Sequence, residues 1–518
     1  MHEMPHASMD AMAGLPPAVL GGAILLACLL TGWALARGSR WFPHGPAGWR
    51  FDLLSLRPIH ALVSKRPFQF AVQLPLVLAL FLILAAGFLG SQVADRNLAT
   101  MLTWTIWWTL LIVDIVLLGR MWCLVCPWDA LASWIRRLAF WRCREEPLAL
   151  QLRWPRWLRN VYPATILFIG LTWLELGFGV TRSPRATAIL GLLMVLLAVI
   201  PALVFERKSF CTYGCLIGRI CGLYSMVAPV EVRARDTGMC RSCDTKDCLH
   251  GNARGYPCPT GQSLAGMTTN TYYTVCTECV KSCPHDNVAL NLRPWATDLQ
   301  TVGRPRRDET VLALVMVSLT SFHGLTMTPA WTEMLAWLRA ATGLGYLPAF
   351  SVGMLVVLVM PGLVYVAASA LTRRAISRDG RAASLWHVAG RYAYSLIAVA
   401  LVYHLAHNAG HLIVEGSRIV PVLSDPFGRG QDLISTAGFV PGPMARASTI
   451  WALQILLILL GLHWALRATE RAHRRLAATL HRPALPLAAR LVPSAFMLAL
   501  TLCNLWLLAQ PMEMRTGL

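Results

Sequence analysis

The sequence predicts an all-α polytopic membrane protein of about ten transmembrane helices, interrupted by one soluble cysteine-rich insertion. Three observations predict it. Of 518 residues 56% are hydrophobic and only 14% charged, with a mean hydropathy of +0.52. A soluble domain of that composition would be unusual, whereas uncharged runs of about 20 residues mark membrane helices. Lys+Arg 46 against Asp+Glu 26 gives a formal charge of +20, and the basic residues gather in short loops between apolar runs. Positive-inside topology accounts for that pattern and argues against nucleic-acid binding. Seven of the 15 cysteines crowd into residues 240–283.

The first span is expected over roughly 17–36, followed by Arg37, Arg40, Arg50 and Arg57. The residues before it lack a basic n-region and a cleavage site, so it reads as a retained helix. The N-terminus is then outside and the 37–67 loop cytoplasmic. His2, Met4, His6 and Met9 in that N-terminus fit a loose outer tail better than a copper site. Runs over 68–90 and 100–118 go out and back, the second ending at Gly119-Arg120-Met121-Trp122-Cys123. The segment to about Asn160 carries Arg136, Arg137, Arg142, Arg144, Arg153, Arg156 and Arg159 among tryptophans. It is predicted to lie as a helix at the inner interface. Spans over 161–180 and 186–205 form a hairpin ending at Arg207, Lys208 and Cys211.

No span falls within the cysteine-rich stretch. The chain thus divides into an N-terminal membrane domain (1–230), a soluble domain (231–308) and a C-terminal membrane domain (309–518). Five further spans are expected over 309–328, 347–370, 388–414, 448–468 and 485–510. Basic loops holding Arg373, Arg374, Arg378 and Arg381, then Arg467, Arg471, Arg474, Arg475 and Arg482, place both connections inside and both chain ends outside.

The cysteines carry the chemistry. Cys240, Cys243, Cys248, Cys258, Cys276, Cys279 and Cys283 include two Cys-Pro steps. Two-residue spacing chelates one centre, and a remote Cys-Pro commonly crosses to a neighbouring cluster. Zinc sites favour two compact pairs and disulfides belong to oxidising compartments, so iron–sulfur ligation fits best. Spans three and five also end alike: Arg120 precedes Cys123 and Cys126, and Arg207 precedes Cys211 and Cys215. This reads as an internal repeat whose thiols ligate metal or sit beside a cluster, with pKa values lowered by nearby Arg and Lys. Cys28 and Cys503 are expected to be buried small hydrophobes, and Cys143 and Cys221 structural.

On GRMWCLVCP, RKSFCTYGCLIGR and the two cysteine runs, residues 68–290 resemble membrane-bound polyferredoxins of the NosR/NapH type. The outer flavin domain of the longer members is absent, the cysteine pairs are spaced differently, and Tyr273 stands where the second run would begin. The resemblance implies an inserted cytoplasmic ferredoxin-like domain, two or three [4Fe–4S] clusters and an inner-membrane location. It also implies electron relay between the quinone pool, or a cytoplasmic donor, and a membrane or periplasmic redox partner. By the crossing rule Cys240, Cys243, Cys248 and Cys283 hold one cluster, leaving Cys258, Cys276 and Cys279 for the next. The fourth ligand there is the membrane-surface set, His285, Asp286 or none; alternatively, Cys123, Cys126, Cys211 and Cys215 hold a cluster of their own.

Histidine inside a span marks a functional site by default. His404, His407 and His411 share one helix face, His323 lies at similar depth, and His387 and His463 form another candidate pair. They could bind a b-type haem, handle quinone or protons, or pack. The chain reads as an electron carrier or a quinone-linked oxidoreductase subunit. Its rivals are a redox assembly factor for a copper or haem oxidase and a redox sensor.

Overall fold

The computed structural model describes residues 11–38, 48–140, 148–377 and 383–515. Its architecture is helical, with ten main legs: α1 (Pro17–Arg37), α2 (Phe68–Leu89), α3 (Leu98–Leu118), α4 (Tyr162–Gly177), α5 (Pro184–Val204), α6 (Arg307–Leu325), α7 (Tyr346–Ile376), α8 (Leu385–Glu415), α9 (Ala447–Thr479) and α10 (Leu487–Ala509). Among the described residues, eight of these are long and apolar enough to cross a membrane. α4 falls short at 16 residues. α6 ends at Leu325 and restarts as Pro329–Thr342 at a 93° bend, the geometry of a broken span or a re-entrant loop. Pro329 explains the break: it opens the second helix at a position where a missing N–H costs nothing.

α8 is the hub. In its most apolar stretch 78% of residues are buried, against 11% in α5, so α8 is wrapped by protein and α5 faces outward. Glycines set the closeness of its neighbours. A methyl at Gly324 of α6 would overlap the Tyr403 hydroxyl, and one at Gly461 of α9 would overlap Val402. Ser384 caps α8, its Oγ accepting the His387 N–H at 3.2 Å. α3 contains a π-helical stretch, Met101–Trp107, which rotates its tryptophans relative to a regular helix.

Two small sheets tie distant parts together. Strand β1 (Ala11–Met12) pairs antiparallel with β5 (Met512–Glu513), so both chain ends lie on one side, the far side. On the other side β2 (Phe51–Asp52), β4 (Val288–Leu292) and β3 (Val230–Ala234) form a three-stranded sheet. The loop after α1 thus joins the cysteine-rich segment. A buried ion cluster locks this sheet: Arg293 Nη1 reaches Glu231 at 2.7 Å and Asp298 at 2.5 Å.

Two expectations need correction. The basic interfacial segment is two short helices, Met121–Val125 and Pro127–Arg137, followed after the undescribed 141–147 by largely irregular chain, because Pro155 and its neighbours cannot extend a helix. Cys28 and Cys503 are exposed on the outer faces of α1 and α10. Lipid-facing surface is apolar too, so hydropathy alone cannot distinguish it from core. Cys143, His2, Met4, His6, Met9, Arg40, Arg142, Arg144, Arg378 and Arg381 lie outside the described residues.

Candidate metal centres and a buried polar line

A repeated local device presents the thiols. Short helical turns Met121–Val125, Phe210–Gly214, Thr237–Ser242 and Glu278–Ser282 each end at a cysteine in extended conformation: Cys126, Cys215, Cys243 and Cys283. The chain thereby turns one thiol out of a helix that already carries another. The two membrane-surface copies each continue into a second helix, Pro127–Arg137 or Leu216–Tyr224, as the internal repeat requires.

In the soluble segment Asn287 joins the ends of the cysteine run. Its side-chain amide donates to Cys240 Sγ at 3.2 Å while its backbone N–H donates to Cys283 Sγ at 3.3 Å. Cys240 thereby sits with Cys283; both bear electrostatically on Cys248, as Cys258 does, and Cys248 in turn bears on Cys279. Cys258 acts on Cys276 and Cys279 in the same way, and its Sγ accepts the Gln262 N–H at 3.3 Å. At the membrane surface Cys126 feels Cys215 and Cys123, and Cys211 feels Cys215 and Cys126. Arg120 Nη2 lies 3.5 Å from Cys123 Sγ, Gly218 N–H donates to Cys215 at 3.3 Å, and Asp129 sits between Cys211 and Lys208.

The expected lowering of thiol pKa does not occur. Burial pushes the Cys126 and Cys211 thiols well up and raises Cys215 and Cys276 to about 11, outweighing the nearby cations. Buried neutral thiols ringed by N–H donors suit a metal centre, since a bound cation deprotonates its sulfur ligands outright. Every described cysteine is free of a disulfide. Among the described residues no three His, Cys, Asp or Glu side chains converge on a point that would hold a single metal ion.

The histidines lie in the C-terminal half. His404 is buried between Trp108 and Tyr224, its Nδ1 3.4 Å from the Tyr224 hydroxyl. His407 stacks on Tyr403 and meets His411 edge-on at 4.7 Å. His411 Nδ1 lies 2.6 Å from Glu415, and His323 Nε2 lies 3.7 Å from Glu175. His387 stands 17 residues before His404, about 26 Å down the same helix, so it does not join this group. His463 is half-buried on α9.

Several functional candidates escaped the sequence reading. Glu175 and Glu415 are lone buried acids in apolar helices, a visible intramembrane signal. Arg515 folds back from the C-terminal tail, donating to the Trp104 carbonyl at 2.7 Å and to Asn408 Oδ1 at 2.5 Å. Nothing local announces that return. Trp107, with neighbours Trp108, Trp122 and Trp128 at ring distances of 5.2–5.7 Å, connects the cysteine pair to His404.

Fold and site together define a multi-pass helical membrane protein with clustered thiols at one membrane surface. No protein-family model, curated protein or solved structure matches this chain.

Proposed function

We propose that this chain is a membrane-bound iron–sulfur electron-transfer protein, working between the quinone pool or a cytoplasmic donor and a membrane or periplasmic redox partner. One observation carries the reading: Asn287 holds the sulfurs of Cys240 and Cys283 together, 43 residues apart. That is the crossing which the Cys-Pro step of a two-cluster ferredoxin makes. Cys240, Cys243, Cys248 and Cys283 would hold one [4Fe–4S] centre. Cys258, Cys276 and Cys279 would hold most of a second, and Cys123, Cys126, Cys211 and Cys215 a third. Such centres supply reversible one-electron transfer, tuned by hydrogen bonds to sulfur and by burial.

The chain's own residues fit that task. N–H groups of Gly218, Gln262 and Asn287 point at sulfurs, and Arg120 offsets charge beside Cys123. The tryptophan chain gives the membrane-surface set a packed aromatic route into the bundle. Positive-inside charge puts the thiols on the cytoplasmic side of an inner membrane. Quinone is the membrane-phase partner in this reading. A cleft of about 170 Å³ lined by Trp104, Trp107, Trp122, Trp128 and Leu171 offers it an apolar seat.

Anaerobic purification with iron and sulfide analysis tests this. Two or three four-iron centres predict about 8 to 12 irons per chain. Cys243→Ala is expected to remove one low-temperature EPR signal after dithionite reduction. Stoichiometric zinc without any such signal would sink the reading.

A further inference from the structure

Glu175 stands in a wall shared by two cavities of opposite character. On one side is the tryptophan-lined cleft, apolar, whose far wall is built by Trp122, Pro127 and Trp128 beside Cys123 and Cys126. On the other is a polar cavity of about 440 Å³ at the far side of the membrane domain, lined also by His323, Arg515, Arg182 and Glu513. Connectivity fixes its side. It includes the α4–α5 turn, Gly179 to Arg182, and the β5 strand, while α5 runs from there towards Cys211. Trp104 is the other cleft residue that this cavity touches.

Glu175 is 6% exposed. Its nearest ionisable partner is His323 on α6, 3.7 Å away, on the polar side. The remaining charged groups around it belong to that side as well: Arg515 of the tail, and the Arg182–Glu513 pair at 2.8 Å. His404 is close enough to His323 to feel its charge. On the cleft side tryptophan, leucine and methionine dominate, and Trp104 Nε1 is already committed to Thr187 Oγ1 at 2.9 Å. Among the described residues, Glu175 is the one carboxylate on the cleft. A buried acid with an apolar seat on one face and a cavity-lining histidine on the other has the geometry of a proton acceptor.

We propose that Glu175 accepts the protons of a quinol bound in the tryptophan cleft and passes them through His323 to the far side, while the electrons leave towards the Cys123, Cys126, Cys211 and Cys215 set. This rests on the electron-transfer reading above. The quinol gives up two electrons and two protons and becomes quinone. The electrons would leave one at a time towards Cys123, Cys126, Cys211 and Cys215, which would hold the accepting iron–sulfur centre. Each proton goes from a quinol hydroxyl to a Glu175 carboxylate oxygen, then to His323 Nε2, then to water in the polar cavity. Charge separates across the membrane, with electrons toward the thiol side and protons toward the opposite side.

The test uses the full chain in phosphatidylcholine vesicles with ferricyanide trapped in the lumen. Only molecules whose thiol side faces inward then turn over. A short-chain ubiquinol analogue is added, and an impermeant pH dye reads the outer bath. The bath is expected to acidify by one proton per electron. Glu175→Gln should lower oxidation and acidification at least tenfold, leaving iron content and quenching of tryptophan emission by the analogue unchanged. Glu175→Asp should restore part of both, and His323→Gln should slow proton release without altering quenching. Protons appearing in the lumen, or wild-type release by Glu175→Gln, overturn the proposal. So does an iron-loaded protein that neither oxidises the quinol nor shows quenching, although the iron–sulfur reading then stands. A wild-type chain without iron sinks that reading, and this one with it.

Discussion

Asn287→Ala tests how the cysteine run is closed. The side chain is 3% exposed and makes three hydrogen bonds. Its Nδ2 donates to the Asp236 carbonyl at 2.6 Å and to Cys240 Sγ at 3.2 Å, and its Oδ1 accepts the Asp236 N–H at 2.8 Å. Each is worth about 1 kcal/mol net, so truncation should weaken the clasp between 236–240 and 283–287 by about 3 kcal/mol. At 1.4 kcal/mol per factor of ten, that is roughly a hundredfold. If the clasp holds a cluster, iron should escape to a chelator about a hundred times faster from this set alone. The assay follows anaerobic iron release to an impermeant chelator, with EPR counting what remains. Backbone donation to Cys283 survives in the variant, so the cluster should still assemble. Equal release from variant and wild type, or loss of the signal belonging to the Cys258 set instead, would refute the reasoning.

Glu231 gives a pH prediction. Burial alone would raise its carboxyl, but Arg293, Arg233 and Arg50 together hold it below the ordinary value of 4.5. A depressed folded pKa stabilises above 4.5 and is lost as pH falls through the lower folded value, so the β2–β4–β3 sheet should loosen only in acid below 4.5. Glu231→Gln leaves Arg293 with Asp298 as its remaining carboxylate and should destabilise this region by about 1.5–3 kcal/mol, read by hydrogen exchange of strand β4. Gly324→Ala should cost about 1–3 kcal/mol by forcing α6 off Tyr403, seen as a lower melting temperature in detergent. A phosphatase fused after Val440 should be active and one fused after Gln300 inactive; the reverse result inverts the topology.

Much of this architecture was legible because membrane helices announce themselves locally. Ten apolar runs gave ten helical legs, and the β1–β5 pairing brings Ala11–Met12 and Met512–Glu513 together on one side. Departures came where one residue changed the backbone: Pro329 bends the sixth leg, and Pro127 splits the interfacial segment. Thiol spacing was equally readable, since two-residue intervals place sulfurs at neighbouring points of one turn. Their protonation was misjudged because sequence reveals which cations are near but not how deeply the sulfur is buried. Burial dominates at Cys126 and Cys211.

What sequence could not supply was the meeting of remote pieces. Asn287 looks like an ordinary turn residue until it is found between Cys240 and Cys283. Arg515 follows the last helix by several residues and reads as tail, yet it closes against Trp104 and Asn408. Glu175 is the instructive case, because the rule that flagged the histidines applies to it equally. A solitary acid in LTWLELGFG had no partner in its own helix, so only packing could give it a role. α4 is too short to span the membrane comfortably, and this places Glu175 one turn from a helix end. There it remains shielded from lipid yet meets a polar cavity. A longer helix would bury the same acid at the bilayer centre, where an acid costs several kcal/mol more. The shortness of α4 and the position of Glu175 are therefore one feature: the helix ends early so that a carboxylate can face apolar cleft and polar cavity at once.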